Sequence, residues 1–142
     1  MEEILMKLKK VLKENDATCV IGNEEEIYIS NQKGIKPLLQ FISEGKLGYF
    51  AADKVVGKAA AYLHVLLKTK ELYAEIISEK AMEILTQYGI SFHYQEKVQN
   101  IMNKYKTDIC PMEKAVAEVN SADEAYDKLI KVIESLKNNS TH

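Results

Sequence analysis

Hydrophobic residues recur at helical spacing at the beginning of the chain. From Ile4 to Leu12 they alternate with lysines in a pattern that predicts an amphipathic helix over residues 2–14. Two short β-rich runs follow, residues 18–21 and 27–29, and the Gly-Asn-Glu sequence between them is typical of a hairpin turn. The chain is therefore predicted to begin with a helix that covers one face of a sheet, followed by an antiparallel hairpin.

Two helices are predicted in the next segment. Pro37 suits the first turn of a short helix that carries apolar residues and ends at Gly45. Asp53 is placed to cap a second helix, which continues along an apolar face to about Lys68. No strand is predicted between the hairpin and the end of this second helix.

Strand and helix patterns then alternate. The apolar run 72–77 has the length of a strand, Ser78 can cap a helix that ends at Gly89, and residues 90–94 have strand character again. A helix that connects two neighbouring strands implies that the strands run parallel, with a right-handed connection.

The remainder of the chain is predicted to be loop and helix. Residues 95–106 are interpreted as a loop with a short helix. Pro111 suits a first helical position, with Cys110 before it and Glu113 placed for the return half of a capping box. Ser121 opens the last helix with a second capping box, after which an apolar stripe follows.

Length and composition limit the possible functions. A chain of 142 residues that is 46% hydrophobic predicts one domain over residues 1–142, with a frayed tail over 137–142. The 19 basic and 21 acidic side chains nearly cancel and are interspersed, so we expect no duplex nucleic acid as a partner. Cys19 and Cys110 form no C-x-x-C pair and are most simply two free thiols in a reducing compartment.

No targeting or membrane segment is evident. The first residues are acidic where a secretory signal peptide is basic. The best apolar run, residues 59–67, contains His64 and stops at Lys68, well short of the roughly 20 residues of a membrane helix. We therefore expect a cytoplasmic protein with no membrane contact.

Four segments carry a resemblance to a known family: residues 53–61, 73–78, the junction 89–90, and residues 110–116. On these segments, and over roughly residues 15–120, the chain resembles an uncharacterised prokaryotic family of the cytidine-deaminase-like superfamily. That family is a domain of unknown function that lacks the zinc site. The resemblance implies an α/β fold, a three-layer α-β-α sandwich whose mixed sheet has an N-terminal hairpin and parallel strands joined by helices. It also implies a cleft where two helix N-termini meet over the sheet, and a homodimer.

The zinc ligands of a deaminase are missing from this frame. Such an enzyme needs H-x-E on the first helix and P-C-x-x-C on the second. Here the corresponding positions are Gly57, Lys58 and Ala59 on the first helix and residues 78–82 on the second. We therefore expect no metal, no cofactor and no zinc-dependent deamination, and the sequence leaves open whether the protein is an enzyme.

A ligand site is predicted at the same helix starts. Gly57 and Lys58 combine backbone N–H groups, a missing side chain and a cation, which is the chemistry that holds a phosphate or a carboxylate. Together with Asp53, Ser78 and Glu79 they form the predicted site for a small phosphorylated or nucleotide-like ligand. The alternative is that Gly57 only permits close packing, that Lys58 is a solvated charge, and that Ser78 and Glu79 are a helix cap and its dipole partner.

Cys110 is the candidate catalytic residue. A thiol at a helix N-terminus feels the positive end of the helix dipole, which favours the nucleophilic thiolate. The alternative is a structural or capping role. His64 and His93 show no metal-ligand spacing and are interpreted as satisfied histidines on a helix face and a strand face.

Three functions stay open at this point. The first is zinc-free binding of a small ligand in the cleft, the second is a non-catalytic interaction or regulatory module, and the third is a Cys110-dependent group transferase. We favour the first, because two converging helix N-termini with Lys58 and Ser78 would form an anion site.

Overall fold

The computed structural model describes residues 2–140, with only the backbone of residues 138–140. This part of the chain forms an α/β fold with five strands and six helices. In chain order they are α1 (Glu3–Glu14), β1 (Cys19–Gly22), β2 (Ile27–Ser30), α2 (Lys36–Ser43), β3 (Phe50–Val56), α3 (Lys58–Leu66), β4 (Glu71–Ser78), α4 (Glu79–Gln87), β5 (Ser91–Val98), α5 (Pro111–Ala115) and α6 (Ala122–Ser140).

The strands form one mixed sheet in the order β2-β1-β3-β4-β5. β1 runs antiparallel to both of its neighbours, and its Cys19 pairs with Asp53 of β3. β3, β4 and β5 run parallel to one another and are connected through α3 and α4. The predicted N-terminal hairpin and the predicted parallel pair of β4 and β5 are confirmed.

Two separate apolar clusters hold helices on the sheet. α1 buries Leu5, Leu8 and Leu12 against Val20, Ala52 and Tyr73. The larger cluster joins the sheet to α2, α3, α4 and α6, with α3 at its centre, where Ala59 to Leu63 are all buried. Small residues at these positions let α3 lie close to the sheet, which brings its N-terminus against the end of β3.

β3 was not predicted, and this is the main error of the sequence interpretation. Asp53 does not cap a helix but lies within the seven-residue strand β3, and α3 begins only at Lys58, with Gly57 at its N-cap. Alanines have low strand propensity, and Asp53 with Lys54 interrupts the apolar run, so local preference did not reveal a strand. Its formation is a tertiary effect, because β1 and β4 pair with it on both sides.

Two predictions for the C-terminal half of the chain are also wrong. Residues 95–98 continue β5, and the segment after it contains an isolated bridge between Met102 and Ile109 rather than a short helix. Pro111 does lie in the first turn of α5, but Cys110 forms no side-chain cap, and the Glu113 carboxylate binds elsewhere. The capping box predicted there is therefore absent.

Other caps and helix bounds agree with the pattern. Ser78 Oγ accepts a hydrogen bond from the Ala81 amide at 3.2 Å, and Ser121 Oγ accepts one from Glu124 at 3.2 Å. The tail predicted from residue 137 is helical as far as Ser140, while residues 141–142 lie outside the described residues. Within residues 2–140 no helix has the length and apolar character to cross a membrane.

Candidate functional site

A cavity of about 370 Å³ lies where the end of β3, the start of α3 and the segment 101–113 meet. We call it the main cavity. The groups on its wall that can carry charge or react are Asp53, Glu113, Cys110, Lys33, Lys54 and Lys104. Apolar side chains, including Ile35, Ile101 and Met112, form much of the remaining wall. The arrangement can hold a small molecule with an apolar body and polar ends.

Asp53 belongs to a buried chain of three polar side chains. It is only 5% exposed, and its Oδ2 lies 3.0 Å from Nε2 of the fully buried His64. Thr69 Oγ1 lies 3.4 Å from the other ring nitrogen, Nδ1. The neutral tautomer with its proton on Nε2 satisfies both contacts, since it donates to Asp53 and accepts from Thr69. The predicted satisfied helix-face histidine is confirmed, and its partner is the carboxylate of the main cavity.

Cys19 lies on β1, where it pairs with Asp53, and is not a reactive thiol. Burial raises the pKa of Cys19 well above its ordinary value, and the nearby charge of Asp53 raises it further. A thiol that keeps its proton is a poor nucleophile. Cys19 therefore serves as a small apolar residue of the core.

The N-terminus of α3 is occupied by a carboxylate of the protein itself. Glu113 Oε1 accepts the Lys58 amide at 2.8 Å, and Oε2 accepts the Ala59 amide at 2.9 Å. Burial raises the pKa of Glu113, although the two amides and the lysines at 80 and 58 oppose that shift. The position predicted for a phosphate is thus filled, and an external anion would have to displace Glu113.

Gly57 is required by this arrangement. A Cβ atom at this position would lie 2.2 Å from Glu113 Oε1 and 2.8 Å from Ile101 Cγ1. The backbone of Gly57 is extended, with φ of −101°, so the need for glycine comes from space and not from conformation. Gly57 therefore permits a close approach, as one sequence alternative proposed, and the approaching group is Glu113.

Lys58 turns away from the main cavity. Its Nζ donates to the Ala117 carbonyl at 3.0 Å and lies 6.0 Å from the centre of the Tyr62 ring. The side chain is partly buried and its Nζ makes an exposed hydrogen bond to the protein, so Lys58 is not a free cation beside Gly57. Lys58 instead links α3 to the end of α5.

Glu113 divides the predicted ligand site into two parts. Asp53 and Gly57 line the main cavity, whereas Lys58 and Ser78 line a second recess of about 60 Å³ on the other side of Glu113. Glu79 is exposed in the first turn of α4 and lines neither space. Ser78 is buried, and its hydroxyl is engaged as the cap of α4.

Cys110 lies on the wall of the main cavity and is partly buried. Its backbone N–H donates to the Ile101 carbonyl at 3.0 Å, which closes the segment between β5 and α5. Because its side chain makes no cap hydrogen bond, the capping role is wrong, while a structural role and a role as a nucleophile both stay predictions. Within residues 2–140 no group of three His, Cys, Asp or Glu side chains could hold a metal ion.

The Asp53–His64 pair and the contact of Glu113 with α3 are not predicted from the sequence. Asp53 and His64 each interrupt an otherwise apolar segment. When a fold buries two such polar side chains, each needs a hydrogen-bond partner, and the two can be partners for each other. These two polar residues were the signal in the sequence for the pair. The Glu113 contact with α3 spans 55 positions of sequence and left no local pattern.

Comparison with known proteins assigns the chain to a family. The family model TM1506, described as a domain of unknown function (DUF1893), matches residues 7–133. The chain is similar to the crystal structure of a DUF1893 family protein (TM1506) from Thermotoga maritima, with a TM-score of 0.83 and 29% identity over 95% of this chain and 92% of that chain. No curated protein matches. The predicted relation to a domain of unknown function is confirmed, and the chain belongs to the DUF1893 family.

Proposed function

We propose that the protein binds a small nucleotide-like or phosphorylated molecule in the main cavity. The observation that carries this proposal is that the buried Asp53 carboxylate and three lysines, Lys33, Lys54 and Lys104, line the same cavity. A volume of about 370 Å³ lies within the range of roughly 300–1,000 Å³ that small-molecule sites occupy.

The charges suggest how such a ligand would lie. Asp53 can only accept hydrogen bonds when ionised, so it favours a ligand end that donates. Lys33, Lys54 and Lys104 favour a phosphate or another anion as the second end of the ligand. A ring between the two ends would contact the apolar wall. A nucleotide carries all three parts in one molecule.

The lysines replace the helix N-terminus as the proposed phosphate site. Glu113 already accepts the first two amides of α3, and its charge repels an anion at that point. Lys33 and Lys104 are exposed, and each side chain can turn towards a bound phosphate. The ligand predicted from sequence is thus retained, but its anion is moved from Lys58 to the lysines of the main cavity.

We also propose the three-layer, cytidine-deaminase-like assignment for this fold, without zinc and without deaminase activity. Its support is the connection β3-α3-β4-α4-β5, in which the starts of α3 and α4 approach each other closely enough that Lys58 and Ser78 line one recess. The absence of H-x-E and P-C-x-x-C from the two helix starts argues against hydrolysis by metal-bound water.

A thermal-shift experiment tests ligand binding. A ligand at a hundred times its dissociation constant stabilises the folded state by about 2.7 kcal/mol. We expect such a shift with nucleoside monophosphates, and its loss when Lys33, Lys54 and Lys104 are replaced by alanine. A matched variant carries alanine at the exposed Lys7, Lys13 and Lys131, which do not line the main cavity, and has the same net charge as the first variant. It should respond to the nucleotide as the wild type does. If no phosphorylated compound shifts the wild type, the proposal is wrong.

A Cys110-dependent group transferase is the second candidate, because the Cys110 thiol lies on the wall of the same cavity. Its thiolate would attack the acyl carbon of a bound acyl donor, form a thioester and expel the group that carried the acyl, which leaves with the proton that the thiol lost. Replacing Cys110 by serine distinguishes the two functions. Binding alone should survive this replacement, whereas covalent transfer should be abolished in a mass-spectrometric assay of the modified chain.

A homodimer is proposed for the assembly. β5 is an eight-residue strand at the edge of the sheet, and antiparallel pairing of two copies about Tyr94 and Gln95 would place His93 opposite Glu96. We expect light scattering to give twice the 16.1 kDa mass of one chain. A Tyr94→Pro substitution on the edge should return the protein to the monomer mass, and a monomeric wild type at high concentration would contradict the proposal.

A further inference from the structure

Asp53 has hydrogen-bonding capacity that the protein does not use. Its Oδ2 contacts His64 Nε2, and no second hydrogen bond to its carboxylate comes from residues 2–137. Asp53 lines the main cavity, and Oδ1 is the carboxylate oxygen that no donor from these residues contacts. An ionised carboxylate has about four lone-pair sites, and roughly three are therefore left for a bound molecule.

The nearby lysines do not neutralise this carboxylate. Lys54 Nζ lies 4.0 Å from Asp16, and Lys104 Nζ lies over the Tyr105 ring at 4.9 Å. No ion pair joins Asp53 to a lysine within the part of the chain whose side chains are described. A nearly buried carboxylate that no lysine contacts gains most from a partner that brings two hydrogen-bond donors.

We infer that Asp53 recognises the guanine edge of a nucleotide, accepting N1–H and the 2-amino group side by side. Neutral guanine presents two adjacent donors on one edge. Adenine and cytosine place a ring-nitrogen acceptor beside the amino group, and uracil places carbonyls on both sides of its N–H, so each turns an acceptor towards the carboxylate. Because this recognition takes place in the main cavity, it rests on the proposed function.

His64 and Thr69 position the carboxylate for this task. His64 is fully buried, and its ring is held between Thr69 Oγ1 on one side and Asp53 Oδ2 on the other. The Nε2 proton fixes the direction of Oδ2, so the Asp53 side chain does not have to be ordered when a ligand binds. Both act through Asp53 and are positioning residues, not ligand contacts.

The base series on the wild-type protein is the first test, and it requires no variant. We expect calorimetric titration to give the tightest binding for guanosine monophosphate. Inosine monophosphate, which lacks the 2-amino group, should bind roughly 10-fold more weakly, and adenosine monophosphate on the order of 100-fold more weakly. All three carry the same ribose phosphate, so the differences report on the base edge alone.

An Asp53→Asn variant supplies the second test, because it changes the pattern of donors and acceptors with little change of shape. An asparagine amide offers one acceptor and one donor, which match N1–H and the 2-carbonyl of xanthine. The variant should lose roughly 10- to 100-fold in affinity for guanosine monophosphate and prefer xanthosine monophosphate. Asp127→Asn, at an exposed position on α6, is the matched control and should keep the guanine preference.

The outcomes separate this inference from the proposed function. If no nucleotide binds to the wild type, ligand binding itself is wrong, and guanine recognition falls with it. Should the three nucleotides bind with equal affinity, or should Asp53→Asn keep the preference for guanine, recognition by Asp53 is wrong while ligand binding stands. If Asp53→Asn does not fold, the wild-type base series decides alone.

Discussion

Replacing Gly57 by alanine tests the contact between Glu113 and the start of α3. The new Cβ would lie 2.2 Å from Glu113 Oε1, where ordinary contact begins at 3.4 Å, so the carboxylate must move by about 1.2 Å. Hydrogen bonds of 2.8 and 2.9 Å then lengthen to about 4 Å and are lost. Because the Glu113 side chain can rotate away, the loss of stability comes mainly from the lost hydrogen bonds to the helix start and less from steric repulsion.

The expected magnitude follows from those two bonds. Loss of two hydrogen bonds to an ionised acceptor at a helix start costs about 2–3 kcal/mol. Alanine recovers about 0.5 kcal/mol, because it restricts the unfolded chain more than glycine does. We therefore expect Gly57→Ala to lower the free energy of unfolding by about 2 kcal/mol in urea titrations.

A double-mutant cycle identifies the cause. In a Glu113→Ala background the cap is already absent, so Gly57→Ala should then cost less than about 1 kcal/mol, a coupling above 1 kcal/mol. Combined with Glu118→Ala, at an exposed position on the same segment, Gly57→Ala should keep its full cost. Additivity of Gly57→Ala and Glu113→Ala would refute the reasoning, as would a Gly57→Ala protein as stable as the wild type.

Three further predictions concern the metal, the buried pair and the pH. Purified protein should contain no stoichiometric zinc and should not deaminate cytidine, adenosine or guanine; elemental analysis that finds one zinc per chain would overturn this. His64→Leu should lower the free energy of unfolding by about 3 kcal/mol, since it leaves Asp53 buried and unpaired, and adding Asp53→Leu should restore part of the loss if the pair is the cause. The raised pKa of Glu113 means that the folded chain binds this proton more tightly than the unfolded chain, so its contribution to stability is complete below the ordinary carboxyl pKa and is lost as the pH rises through the raised value. Unfolding measured from pH 7 to pH 4 should show the wild type gaining stability relative to Glu113→Gln, and a difference that is constant or shrinks on acidification would contradict it.

Local signals were sufficient for much of the fold. The helix over 2–14, the hairpin, the Ser78 cap and the parallel pair of β4 and β5 all rest on interactions between residues close in sequence or on repeating patterns, and each is confirmed. β3 could not be found in this way, because its alanines and its Asp53 favour other conformations in isolation. They form a strand because neighbours on both sides supply hydrogen bonds.

The candidate site shows the same difference between local patterns, which the sequence reveals, and long-range contacts, which it does not. The sequence assigned Asp53 and Gly57 to one ligand site, and both line the main cavity, together with Cys110. It assigned Lys58 to the ligand, but the Lys58 side chain binds the Ala117 carbonyl, and its amide binds Glu113. Both partners lie more than 50 positions away, so only the folded chain reveals that the protein fills its own helix N-terminus.

The most direct test of the central claim is a titration of isotope-labelled protein with guanosine monophosphate, followed by amide chemical shifts. We expect saturable shifts concentrated around the main cavity, at Val55, Gly57 and Ala60, with little change at the buried face of α1 around Leu8. Shifts that are absent at millimolar nucleotide, or that fall on α1 and leave the end of β3 unchanged, would contradict a ligand site in the main cavity.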